Sequence, residues 1–170
     1  MSHADEEIIN PSRILVPVDF SPSSREALDA AAGLAQKFGA ELYLLHVIPE
    51  YASVSLPATV SQESLVEAER KAANERFAAS KTALGAKGVK CAFSVEVGSD
   101  VAGTILDAIE REKADLVVFT THGLSGWYPQ VFGSIAEKLV RLVQCPVLLL
   151  RTSKPASSAR VSVGRMMEWW

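Results

Sequence analysis

The chain has 170 residues, 48% hydrophobic and 22% charged, which bounds it to one ordinary folded domain and excludes global disorder. Its formal net charge of -3 leaves no basic footprint for nucleic acid. Apolar runs such as Val147 to Leu150 are far too short to span a bilayer, and the acidic start Met1-Ser-His-Ala-Asp-Glu-Glu does not read as a signal peptide. Cys91 and Cys145 lack CxxC spacing and are expected as buried thiols. A cytoplasmic protein is the expectation.

Residues 1–11 read as a polar lead-in. Arg13 to Asp19 is a first strand, apolar through its middle as a strand covered on both faces should be. Pro17 cannot donate to a ladder, so the strand is expected to end there, with Val18 and Asp19 as its C-terminal lip. Ser23-Ser-Arg-Glu26 matches a capping box for a helix reaching Phe38. Its inner face is Leu28, Ala31, Ala32 and Ala35, and Gly39 stops it. Glu41 to Ile48 is a second buried strand. Pro49 to Val60 is a loop, either a lid or a passive connection. Residues 61–84 predict a long helix with Leu65, Ala68, Ala72 and Phe77 inward, closed by Gly85 and Gly88.

Val89 to Val97 alternates as a third strand, and Gly98-Ser-Asp100 is a turn and helix cap. Val101, Ile105, Ala108 and Ile109 form the apolar face of the next helix, and Ala114 to Thr120 is a fourth strand. Ser134 to Val143 predicts a helix with Ile135, Leu139, Leu142 and Val143 toward the sheet, and Pro146 to Arg151 a fifth strand. Alternating β and α elements imply a parallel sheet with helices on both faces and right-handed crossovers. Residues 152–160 read as a linker. Val161 to Trp170, with two Met and two Trp, reads either as a poorly ordered terminus or as a docking arm.

The chemistry centres on Phe119 to Glu137. A strand there gives way to a glycine-bearing loop and then a helix start, an arrangement whose free N–H groups and dipole favour a phosphate. Asp19, Val47 and Thr120 lie near the carboxyl ends of their strands, where ligands of open α/β sheets bind. His46 sits in an apolar strand and reads as a satisfied core histidine; His122 is a loop residue with either a surface or a ligand role. Neither has a Cys or carboxylate at metal-ligand spacing.

The loop pattern resembles the universal stress protein family, whose nucleotide-binding members carry Gly-x2-Gly-x9-Gly-Ser/Thr. Gly123, Gly133 and Ser134 fit it, while Thr120 replaces the first glycine. The likeness extends to Ile14-Leu-Val-Pro-Val-Asp-Phe-Ser21, Leu44-Leu-His-Val47, Ala114-Asp-Leu-Val-Val118 and Cys145-Pro-Val-Leu-Leu-Leu150, and it frames residues 12–151 as a single domain. It implies a Rossmann-like doubly wound fold with five parallel strands in the order 3-2-1-4-5. It further implies a site for ATP or a close adenine nucleotide, with or without Mg2+. Asp19 would meet the ribose, Pro17 and Val18 would line the pocket, and Val47 would hold adenine through its backbone. Gly123 and Gly133 would admit the phosphates, and Ser134, Ile135 and Ala136 would offer a hydroxyl and N–H donors. A homodimer through the fifth strand, residues 146–150, is also implied.

Two departures from the pattern keep a second reading open. Thr120 adds a side chain beside the expected nucleotide path, and Trp127-Tyr-Pro129 puts bulk into the phosphate loop. The alternative is a dimeric interaction module that binds no nucleotide. Catalysis is expected to be weak ATP hydrolysis at most. The chain has no Gly-x4-Gly-Lys-Ser/Thr loop, and between Thr120 and Glu137 there is no Lys or Arg to stabilise a transferring phosphoryl group. The expected role is therefore a regulatory, ligand-dependent dimeric switch of the stress response.

Overall fold

The computed structural model describes residues 10–50, 61–121 and 133–151. The lead-in up to residue 9, the loop over 51–60, the span 122–132 with His122, Gly123 and Trp127 to Pro129, and the tail from 152 lie outside the described residues.

Among the described residues nine elements alternate: β1 (Arg13–Pro17), α1 (Pro22–Phe38), β2 (Glu41–Pro49), α2 (Gln62–Ala86), β3 (Cys91–Gly98), α3 (Val101–Arg111), β4 (Leu116–Thr120), α4 (Ser134–Leu142) and β5 (Val147–Leu150). The five strands form one all-parallel sheet in the order β3-β2-β1-β4-β5. Consecutive strands run outward from β1 in one direction and then from β4 in the other. The reversal opens a crevice beyond the carboxyl ends of β1 and β4.

Helices cover both faces. Ile14 and Val16 of β1, with Leu42 and Leu44 of β2, pack against Ala27, Ala31 and Ala35 of α1 and Phe77 of α2. Leu15, Tyr43, Leu45 and Val117 turn the other way onto Ile105 and Ala108 of α3 and Ala136 and Leu139 of α4. The two-residue period of a strand, buried on both sides, explains why Ile14, Leu15 and Val16 are all fully buried.

The first strand ends at Pro17 as its chemistry requires, although the Val18 N–H still reaches Leu45 O at 2.8 Å. The start of α1 corrects the capping-box expectation. Ser21, not Ser23, is the N-cap: its Oγ accepts from the Ser24 N–H at 3.1 Å, and Pro22 takes the first turn, where no N–H is needed. Gly39 closes α1 in the left-handed region, at φ 70°.

Two helix faces also differ from expectation. On α2 the inward line is Ala73, Phe77 and Leu84, whereas Leu65, Ala68 and Ala72 are exposed. The helix is weakly amphipathic, so its small alanines fit either register. Phe77, wedged against Phe20 and Phe93, decides which face turns in. On α4 only Ala136 and Leu139 are buried, while Ile135 and Leu142 are exposed. A nine-residue helix over the margin of a sheet covers one line of side chains, and the apolar stripe in the sequence is wider than that line. Cys91 is buried and Cys145 half-buried, both as free thiols. Burial pushes the Cys91 thiol up to about 11, with Lys81 partly opposing the shift.

The opposite end of the sheet is closed by polar contacts. Asp115 accepts from the Ser12 and Arg13 N–H groups, each at 2.9 Å, and from Ser12 Oγ at 2.5 Å. Arg13 reaches Glu41 at 2.8 Å and donates to Glu112 O at 2.9 Å. Burial works against the charge of Asp115, but these donors outweigh it and hold the carboxyl below its ordinary value.

Candidate functional site

A cleft of about 630 Å³ lies at the carboxyl ends of the strands. Its volume is within the usual range for a small-molecule site. The lip of β1 supplies Pro17, Val18 and Asp19, β2 supplies His46 and Val47, and β4 supplies Phe119 and Thr120. Gly133 and the first turn of α4, Ser134 to Ala136, close one side. All the sequence-selected positions among the described residues therefore line one cavity; Gly123 lies outside those residues.

Local chemistry holds each group in place. Asp19 follows the end of β1, and its Oδ1 accepts from the Ser21 N–H at 3.0 Å, a turn that presents the carboxylate beside the cleft. Phe20 between them takes φ 60°, an unusual backbone for a bulky residue. Its ring packs in tilted contacts against His46 and Phe77, with centroids 4.8 and 5.2 Å apart, and the Arg76 guanidinium lies 4.9 Å from its centre.

On the other side, Thr121 and Gly133 bring the two ends of the intervening span together. The Gly133 N–H donates to Thr121 O at 3.0 Å. A Cβ at Gly133 would come within 3.3 Å of that same oxygen, so the close approach favours glycine here. Gly133 is also the N-cap of α4 and brings no capping side chain. The N–H groups of Ser134, Ile135 and Ala136 are first-turn donors without intrahelical acceptors, and their end of the helix carries positive dipole.

Sequence reasoning missed the wall that α2 contributes. Glu69, Ala72, Ala73 and Arg76 line the cleft at helical spacing, with Ala72 turned toward the cavity rather than the core. Arg76 is the one cation among the described residues lining it. The absence of Lys and Arg from the stretch after Thr120 is thus partly answered from a distant helix. The spacing from Glu69 to Arg76 is visible in the sequence, but nothing local aims that face at the strand ends.

His46 is a buried, hydrogen-bonded histidine, as its apolar context suggests. Its Nδ1 is 2.7 Å from Val18 O, and its Nε2 is 3.7 Å from Glu69 Oε1. Among the described residues no cluster of His, Cys, Asp and Glu could hold a metal ion. Nor is any described helix long and apolar enough to cross a membrane.

The arrangement offers a carboxylate for hydroxyl groups, an apolar floor, and a helix N-terminus for an anion. The sequence profile of the universal stress protein family matches residues 11–151. Universal stress protein MJ0531 of Methanocaldococcus jannaschii is 33% identical over 142 residues, covering 84% of this chain and 83% of its own. The structure of universal stress protein UspA from Lactobacillus plantarum superposes with a TM-score of 0.74 at 24% identity, over 82% of this chain and 97% of that one. A universal stress protein solved in complex with cAMP superposes with a TM-score of 0.59 at 23% identity, over 85% of this chain and 99% of that one. The chain belongs to the universal stress protein family.

Proposed function

We propose that the protein binds an adenine nucleotide, ATP with or without Mg2+, in the strand-end cleft and acts as a ligand-dependent dimeric switch in the cytoplasmic stress response. The observation that carries this reading is the shared cavity of Asp19, Val47 and the start of α4. Asp19 accepts from the ribose, and Pro17 and Val18 line the pocket beside it. Val47 holds the base through its backbone. Gly123 and Gly133 let the phosphates approach, and Ser134, Ile135 and Ala136 donate to them. Mg2+ needs little from the protein, since phosphate oxygens and water satisfy most of its shell. The cAMP complex of a family member is consistent with an adenine ligand in this fold. Residues 12–151 act as the one functional unit, between the lead-in over 1–11 and the tail over 152–170. Protein partners apart, neither nucleic acid nor membrane takes part.

The dimer proposal rests on β5. It is an edge strand whose four residues are only half-buried, and the preceding α4 exposes Val140 and Leu142. An apolar edge of this kind favours pairing with a second copy. A dimeric mass by light scattering at micromolar concentration supports it, and a monomeric mass overturns it.

To test nucleotide binding, the protein is purified without added ligand, denatured, and its supernatant resolved by ion exchange. Stripped protein is then titrated with ATP, with and without Mg2+. Co-purified or tightly bound ATP, weakened by Asp19→Ala and by Ser134→Ala, supports the proposal. An empty protein that ignores ATP overturns it.

One observation favours the second reading, an interaction module without nucleotide. Thr120 lines the cleft where the family pattern has glycine. On that reading Thr120→Gly creates or strengthens ATP binding. Turnover, where ATP binds, is slow hydrolysis at most, and a rate insensitive to Asp19→Ala and Ser134→Ala is contamination.

A further inference from the structure

Asp19 sits on a short lip whose backbone is out of the ordinary, and something must hold it there. The Val18 N–H is anchored to Leu45 O at 2.8 Å, but the Val18 carbonyl has left the ladder. That carbonyl lies 2.7 Å from His46 Nδ1. A carbonyl only accepts, so Nδ1 carries the proton, and His46 is the donor that fixes the peptide leading into Asp19. The same ring packs, tilted, against Phe20, which follows Asp19 at φ 60°. Strained backbone of this kind persists only where its surroundings over-determine it, and such sites gather at ligand pockets. His46 thus grips the lip on both sides of the carboxylate. It is 7% exposed and belongs to β2, a rigid strand paired on both edges.

We infer that His46 is a positioning residue of the ligand site: its Nδ1–H on the Val18 carbonyl and its ring on Phe20 set the Asp19 carboxylate in the cleft. The inference rests on the proposal that Asp19 meets the ligand. It adds that affinity depends on His46 through Asp19 and not through ligand contact.

The test uses the full chain, with ATP and Mg2+ as the titrant. Asn places its amide N–H close to where His carries Nδ1–H, whereas Leu fills the space with no donor. His46→Leu is expected to weaken ATP about tenfold, and His46→Asn to retain affinity within about threefold. In an Asp19→Ala background, His46→Leu should change affinity by less than about twofold, because the acceptor it positions is gone. A second readout is independent of nucleotide. Exchange of the Ser21 amide, which donates to Asp19, should quicken about tenfold in His46→Leu and not in His46→Asn.

A His46→Leu loss that persists in the Asp19→Ala background overturns the inference, since His46 then acts on the ligand directly. Equal damage from Asn and Leu overturns it too, because packing rather than the hydrogen bond would matter. Should wild-type protein take up no ATP, the proposed function falls on that result alone. The positioning claim is then decided by Ser21 exchange: quickening in Leu but not Asn upholds it, and no difference between them ends it.

Discussion

The two ends of the sheet are built from similar residues put to different uses. At the amino ends of the strands, Arg13, Glu41, Glu112 and Asp115 meet one another and the backbone at 2.8 to 3.5 Å. At the carboxyl ends, Asp19, Glu69 and Arg76 border an open cleft of about 630 Å³. The first set joins β1, β2 and β4 at their starts. The second is spread over two segments, the lip after β1 and helix α2, and Arg76 has the Phe20 ring as its neighbour. Charges enclosed by one another serve the fold, whereas charges that have protein partners and also border a cavity can meet a ligand.

Substitutions at the two ends should therefore separate binding from stability. Asp19→Ala removes a charged acceptor from the cleft. We expect ATP affinity to fall by about 10- to 150-fold, measured calorimetrically, with a smaller stability loss of about 1 kcal/mol in urea because one donor, the Ser21 N–H, loses its acceptor. Asp115→Ala should do the reverse. It leaves the Ser12 and Arg13 donors without their acceptor and costs about 2 kcal/mol of stability, while ATP affinity stays within about twofold. Loss of affinity from Asp115→Ala would break the division between the ends.

Ser21→Ala tests the boundary between them, because Ser21 caps α1 while its N–H holds Asp19. The cap is worth about 1 kcal/mol and should appear in the urea midpoint, with the Asp19 contact intact because the backbone N–H remains. The smallest expected effect is on pH. Asp115 has a lowered pKa in the folded chain, so its contribution is present above the unfolded carboxyl value of about 3.9. Stability should fall as pH drops through the folded value, and that part of the fall should be absent from Asp115→Ala. An unchanged acid limb in the variant would contradict this assignment.

The sheet and its strand ends were largely legible in the sequence, because doubly buried strands leave continuous apolar runs. Ile14 to Val16 and Leu42 to Leu45 could hardly be anything else. Pro17 marked the end of β1 by its missing N–H. Helix faces were harder. Ala68 and Ala72 on α2 are compatible with either side, and only the packing of Phe77 against Phe20 and Phe93 fixes the rotation. The start of α1 is ambiguous in the sequence because two overlapping signals compete, and in the fold Ser21 followed by Pro22 outweighs the capping box. In the site, Asp19 and Ser134 stand at element boundaries that local rules can find. Arg76 and Glu69 enter from mid-helix, and their placement depends on tertiary packing alone.

Ligand chemistry is expected only at the carboxyl end of the sheet. Two-dimensional amide NMR of the full chain, recorded as ATP and Mg2+ are added, addresses it directly. Shifts are expected at Val18, Asp19, Val47, Thr120 and Gly133 to Ala136, with Arg13 and Asp115 unmoved. No shifts at millimolar ATP, or shifts centred on the amino ends of the strands, would contradict it.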